Sequence, residues 1–277
     1  MRLILFLLLI FGFLMYKIID PNSTDKQLLE KLNFDSTRVV IDTYESEGNK
    51  IRYVDIGNTT DRLVIFIHGT PGTLEAFNRY LKDRSLRSKF RMIAMDRPGY
   101  GASGPGTPET SIKKQADSIV PLLEKNQHNA KPIIVGHSFG ATIAARLAMD
   151  HPDKIGTIIL VGGALDPDHE KFFAIAKLLE LPLIRHLIPA SMKVANDEKN
   201  THVDQLKQML PGWKKITGKV IIIHGVKDKL VPIENAYFAE KVLTNAQVIM
   251  KIDKNAGHLI PWTKPDLIKN EILSQYR

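Results

Sequence analysis

Pro132-Ile133-Ile134-Val135-Gly136-His137-Ser138-Phe139-Gly140-Ala141-Thr142-Ile143 is the stretch on which the reading of this 277-residue chain turns. Residues 132–135 are an apolar run of the kind that forms a strand buried on both faces. Residues 141–148, Ala-Thr-Ile-Ala-Ala-Arg-Leu-Ala, are mostly small and apolar and read as a helix. Between them lies G-x-S-x-G. A turn this tight forces the residue at its apex into a strained backbone conformation. Gly136 and Gly140 remove the Cβ atoms that would collide where strand and helix nearly touch. Ser138 is thus expected at a helix N-terminus with its hydroxyl exposed as a nucleophile. The Phe139 backbone N–H is expected to face any oxyanion that forms there.

The pattern of strand followed by helix recurs outward from this turn. Residues 63–67 (Leu-Val-Ile-Phe-Ile), 92–95, 155–161, 219–223 and 246–252 read as further buried strands. A hairpin turning at 45–49 joins two more near 38–43 and 50–56, as an antiparallel edge. Helices are expected at 73–82, at 111–125 with a kink at Pro121, at 233–243 and at 264–276. Strands alternating with helices imply a mostly parallel sheet covered on both faces.

Four strand ends carry distinctive loops. They are His68-Gly69-Thr70-Pro71-Gly72, Asp96-Arg97-Pro98-Gly99-Tyr100-Gly101-Ala102-Ser103, the 224–232 stretch His-Gly-Val-Lys-Asp-Lys-Leu-Val-Pro, and Asn255-Ala256-Gly257-His258-Leu259. With the Gly-His-Ser-Phe-Gly turn, these motifs make the chain resemble the α/β-hydrolase superfamily, of the serine esterase or lipase-like kind. The resemblance covers roughly residues 39–277. It implies an α/β-hydrolase fold: an eight-stranded, mostly parallel sheet flanked by helices, with a helical cap inserted at about 166–213. It also implies a catalytic triad of Ser138, Asp228 and His258, in the chain order nucleophile, acid, base. The oxyanion hole would be the Thr70 and Phe139 backbone N–H groups. Asp166, after the sixth strand, is the rival for the acid. His68 and Asp96 are expected to be structural, although both sit beside the site.

The remaining length divides simply. Met1-Arg2 precedes an apolar run over residues 3–16, closed by Lys17-Ile18-Ile19-Asp20-Pro21. The run matches the h-region of a signal peptide and falls short of the ~20 residues of a comfortable span. No small residues follow it to mark a cleavage site, so residues 1–21 are expected to be an uncleaved N-terminal membrane anchor. The alternative is a signal segment removed on secretion. Residues 22–37 read as a linker and 38–277 as the catalytic domain, exported to the periplasmic or extracellular face. The net charge of +8 is scattered, with no basic run interleaved with aromatics, so it suits an anionic lipid surface better than nucleic acid. No cysteine and no H-x-x-x-H spacing are present, so no metal and no cofactor are expected.

The implied activity is hydrolysis of a small-molecule carboxylic ester through an acyl-enzyme. The Leu, Ile and Phe residues of the cap suggest an apolar acyl group. The same machinery also fits an amidase, a peptidase or a C–C bond hydrolase. A reading from another class is a ligand-binding protein of the same fold without turnover.

Overall fold

β-Branched residues dominate the predicted strands, and the computed structural model describes residues 23–32, 37–171 and 181–276 of the chain. An 8-stranded sheet organises them, in the order β1-β2-β4-β3-β5-β6-β7-β8. The strands are β1 (Val39–Ser46), β2 (Asn49–Ile56), β3 (Arg62–Ile67), β4 (Phe90–Met95), β5 (Ile133–His137), β6 (Thr157–Val161), β7 (Lys219–Gly225) and β8 (Gln247–Asp253). β1 and β2 form the expected antiparallel edge, and β2 meets β4 antiparallel. From β4 to β8 every pairing is parallel.

The period of two along each strand sorts the core into two layers. Leu63, Ile65 and Ile67 face one side of the sheet with Ile134, Leu160 and Ile222, against the helix Phe139–Asp150. Val64 and Phe66 face the other with Val135, Ile159 and Ile221, against Phe77, Tyr80 and Ile268. The parallel strands all point one way, so the loops that follow β3, β5, β6, β7 and β8 gather along one edge. In open α/β sheets that edge is where ligands bind.

Several helices differ in detail from the reading of the sequence. The predicted helix at 111–125 is two, Ile112–Asp117 and Val120–Leu123. Pro121 accounts for the break, since its ring would collide with the carbonyl four residues back, at Asp117. The segment at 73–82 begins as a 3-10 turn, Leu74–Phe77, before the helix Asn78–Lys82. The last helix is shorter than expected, Pro265–Leu273.

The stretch read as a linker contains a docked helix, Asp25–Lys31. Its signal was present in the sequence as a capping box, Thr24 with Gln27. Leu28 and Leu32 bury their side chains in the second core layer, and Lys31 bonds to Glu75 at 2.7 Å. The proposed anchor at 1–21 lies outside the described residues. Among the described residues, no helix is long and apolar enough to cross a membrane.

The expected cap contributes two described helices, Pro182–Leu187 and Ala190–Met209, followed by the 3-10 turn Leu210–Lys215. The apolar residues at 172–180, on which the expectation of an apolar acyl group partly rests, lie outside the described residues.

Candidate active site

Ser138 sits between β5 and the helix Phe139–Asp150 with φ +56° and ψ −122°. A side chain is strained there by about 1–3 kcal/mol, and the two flanking glycines make the turn possible. A Cβ on Gly136 would lie 2.3 Å from the Gly140 carbonyl oxygen, and one on Gly140 would lie 2.3 Å from that of Ile67. The Ser138 N–H donates to the Val161 carbonyl at 2.9 Å, which ties the apex to β6.

Three residues that the sequence placed on separate loops form one hydrogen-bonded chain. His258 Nε2 lies 3.0 Å from Ser138 Oγ, and His258 Nδ1 lies 2.8 Å from Asp228 Oδ2. Asp228 is held in turn by its own loop, because Oδ1 accepts from Leu230 N at 2.9 Å and Val231 N at 2.8 Å. Burial works to raise the Asp228 carboxyl, but the His258 hydrogen bond and charge outweigh it and hold the group below its ordinary value. A carboxylate on Nδ1 fixes the proton there. That leaves the Nε2 lone pair for the serine hydroxyl.

Asp166 is elsewhere. Its Oδ2 lies 2.7 Å from His169 Nδ1, and it caps its own turn at Asp168 N at 2.9 Å. His68 is structural as expected. Its Nε2 accepts from Arg97 N at 2.9 Å, so its Nδ1 carries the proton and donates to the Gly69 carbonyl at 2.7 Å. Burial and the Arg97 charge push its pKa well below the ordinary histidine value. Asp96 accepts from Leu74 N and Ala102 N at 2.8 and 3.0 Å and shapes the loop.

Two further histidines support the arrangement and were not singled out from the sequence. His137 packs against the His258 ring, with centroids 4.9 Å apart, and donates from Nε2 to the His258 carbonyl at 3.0 Å. Burial, with the His258 charge second, takes its pKa down to about 3. His224 bonds to the Val231 carbonyl at 3.0 Å and bridges the base of the acid loop. No paired motif marked either one.

The Thr70 and Phe139 N–H groups belong to the same corner. Phe139 opens its helix, so its N–H has no acceptor within that helix. The Gly69–Thr70 peptide is oriented by Arg97 and His68. The Gly69 carbonyl accepts from Arg97 Nη2 at 3.0 Å as well as from His68. In a trans peptide the N–H points opposite to the carbonyl, so the Thr70 N–H turns away from Arg97. Arg97 also donates from Nε to the His68 carbonyl at 3.0 Å and pairs with Glu198 of the Ala190–Met209 helix. Tyr100 OH bonds to Glu198 at 2.7 Å and to the Thr70 hydroxyl. The motif signal showed a loop at Arg97 but not its partner.

A cavity of about 240 Å³ opens above these groups. Thr70, Ser138, Phe139 and His258 line its floor, Leu230 and Val231 one side, and the Ala190–Met209 helix its roof. Among the described residues no group of three or more His, Cys, Asp or Glu is placed to hold a metal ion.

Comparison with known proteins fits this geometry. A family model described as the alpha/beta hydrolase fold matches residues 62–181. Over 243 residues the chain is 26% identical to the dihydrolipoyllysine-residue acetyltransferase component of the acetoin cleaving system of Cupriavidus necator, covering 77% of this chain and 63% of that protein. Over 251 residues it is 23% identical to protein ABHD8 of Homo sapiens, covering 79% of this chain and 56% of that one. The chain thus spans less than two thirds of the length of both curated relatives. An esterase from Exiguobacterium antarcticum superposes with a TM-score of 0.65 at 22% identity, over 84% of this chain and 97% of that one. At that identity the likeness is one of fold.

Proposed function

The chain is a member of the α/β-hydrolase superfamily, and on that premise we propose that it is a serine hydrolase that cleaves carboxylic esters of small molecules. The observation that carries the reading is the unbroken hydrogen-bonded chain from Ser138 through His258 to Asp228. His258 Nε2 takes the Ser138 proton as Oγ attacks the ester carbonyl carbon. The carbonyl π electrons move to oxygen, and the Thr70 and Phe139 N–H groups receive the oxyanion, at about 3–4 kcal/mol per donor. Asp228 keeps the imidazole in the required tautomer and stabilises its cation. The C–O bond then breaks, the alkoxide leaves with the proton from Nε2, and an acyl-Ser138 remains. Water repeats the cycle, giving its proton to His258 and its oxygen to the acid product.

The test is fluorophosphonate labelling with mass spectrometry, run beside hydrolysis of p-nitrophenyl esters. Labelling at Ser138 with ester turnover is expected. Folded protein that neither labels nor turns over any ester is a ligand-binding member of the fold instead. The apolar run at residues 3–16 motivates a second part of the proposal, that the enzyme is membrane-anchored with its catalytic domain exported. Full-length protein should then resist carbonate extraction and be digested by protease added outside intact cells. Protein recovered in the soluble fraction with its N-terminus intact would overturn the anchor.

A further inference from the structure

The roof of the cavity is one stripe of the Ala190–Met209 helix, and the stripe changes character along its length. Met192, Ala195, Asn196, Lys199 and His202 recur at helical spacing and all line the cavity. Met192 and Ala195 are apolar, as are Leu230 and Val231 beside them. The next turns are polar. Lys199 pairs with Glu170, whose Oε1 lies 2.9 Å from His202 Nδ1. His202 Nε2 lies 3.4 Å from Thr142 Oγ1, and its ring packs on Phe139, the neighbour of Ser138, with centroids 4.7 Å apart. Burial acts to raise the Glu170 carboxyl, yet His202 and Lys199 hold it below its ordinary value, so it is ionised.

Asn196 is the informative member. It is 6% exposed, and its Nδ2 is buried with no hydrogen-bond partner among the described residues. A buried donor left unpaired is costly, so it calls for an explanation. The triad does not use it. The Arg97–Glu198 pair beside it is satisfied by other groups. A catalytic cavity lined by an unpaired amide, a lysine and an ionised carboxylate is built to read oxygen on the substrate.

We infer that Asn196 and Lys199, with Glu170 and His202 behind them, form a polar subsite that takes an uncharged oxygen, a keto, amide or hydroxyl group, on the acyl chain of the ester. This rests on the hydrolase reading above. The apolar first turn, with Leu230 and Val231, accommodates the methylene groups, and the polar turns take the oxygen. An uncharged acceptor fits better than a free carboxylate, because the Glu170 carboxylate shares the wall and neutralises Lys199. A plain alkyl chain would leave the Asn196 amide unpaired in the complex as well.

The experiment compares p-nitrophenyl alkanoates with equal-length esters that carry a keto oxygen at successive chain carbons. The full-length enzyme should prefer one oxygenated position by about threefold to tenfold in kcat/KM, the worth of one hydrogen bond. Asn196→Leu, which keeps the volume and removes the donor, should bring that ratio to near one. Lys199→Met, at a partly exposed position one turn further along the stripe, gives a second reading if Asn196→Leu disturbs the cap. Calorimetry of the same intact esters with Ser138→Ala protein reads the subsite without turnover. Active enzyme that prefers the alkyl ester at every position overturns the subsite. So does an oxygen preference that survives both variants. Inactive enzyme that still binds the keto ester more tightly overturns the hydrolase reading and leaves the subsite standing.

Discussion

The Arg97 guanidinium and the Glu198 carboxylate meet at 2.6 Å, Nη1 to Oε1, across 101 positions of sequence, and join the loop after β4 to the helix Ala190–Met209. Both side chains are almost completely buried. Tyr100 and Gln115 bond to the same carboxylate, at 2.7 and 2.8 Å, so its lone pairs are occupied. Such a pair is costly to break from one side, because the survivor is a buried, uncompensated charge.

Arg97→Ala should therefore lower stability by about 3–5 kcal/mol. Arg97→Lys is the sharper test. It keeps a charge but cannot reach the Glu198, His68 and Gly69 oxygens together. Loosening the Gly69–Thr70 peptide should reduce kcat by about tenfold with KM nearly unchanged, since the donor acts on the oxyanion and not on bound ester. Titrating active sites with fluorophosphonate separates this from simple unfolding. Unchanged kcat per labelled site would remove Arg97 from the positioning role.

Ser138→Ala should abolish ester turnover, by roughly 10³-fold or more, and abolish labelling. It should change the melting temperature little, because only one side-chain hydrogen bond is lost and the two glycines of the turn stay in place. Turnover that persists in this variant would move the nucleophile to another residue.

Asp228→Asn and Asp166→Asn separate the two candidate acids. Asp228→Asn places an amide against His258 Nδ1 and favours the wrong tautomer, for a loss of about 10⁴-fold in kcat. Asp166→Asn disturbs only the His169 contact and should leave kcat within about twofold. The reverse pattern would transfer the role to Asp166.

Acid should destabilise the protein from pH 6.5 downward. His68 and His137 are neutral in the fold, with pKa values pushed below the ordinary one. In the unfolded chain each binds a proton below about pH 6.5. A depressed folded value means that the contribution is present above the unfolded pKa and is lost as pH falls. The slope is about 1.4 kcal/mol per pH unit for each histidine. For His137 that window runs down to about 3. Asp96 works the other way. Burial lifts its carboxyl to about 6 against an ordinary 3.8, so the fold binds the extra proton and gains stability as pH drops through that range. It offsets one histidine of the two below pH 6. Urea midpoints at pH 7.5, 6.5 and 5.5 should fall in that order, and His137→Gln should flatten the trend. A midpoint that rises towards pH 5.5 would contradict these assignments.

The candidate site was more legible in the sequence than its surroundings. Ser138, Asp228 and His258 each follow a short apolar strand, and the glycines beside Ser138 and His258 advertise tight turns. Motif and strand order together place all three on one sheet edge. The motif around Asp228 favoured it over Asp166, and the geometry agrees, since His258 Nδ1 meets Asp228 while Asp166 meets His169. The Arg97–Glu198 pair could not be read at all. Arg97 stood inside a recognised loop motif, but Glu198 lies in a polar helix where its neighbours Asn196, Asp197 and Lys199 look equally solvent-facing. Burial of one charge among several depends on how the helix is rotated, which local pattern does not fix. Helix Asp25–Lys31 was missed for the opposite reason. Its capping box was visible, but only the docking of Leu28 and Leu32 shows it to be part of the core.

The clamp at Glu198 bears on how this protein can change. A lid that merely rests on the sheet beneath it can be exchanged for another, and the chemistry beneath survives the graft. Here the roof also supplies the counterion for the guanidinium that sets the Gly69–Thr70 peptide. A transplanted roof that lacks a carboxylate at that place would strand a cation against the reacting centre. On the proposed hydrolase reading, substrate preference and catalytic competence are therefore inherited together, and new preferences are open chiefly to changes along the 192–202 stripe that spare position 198.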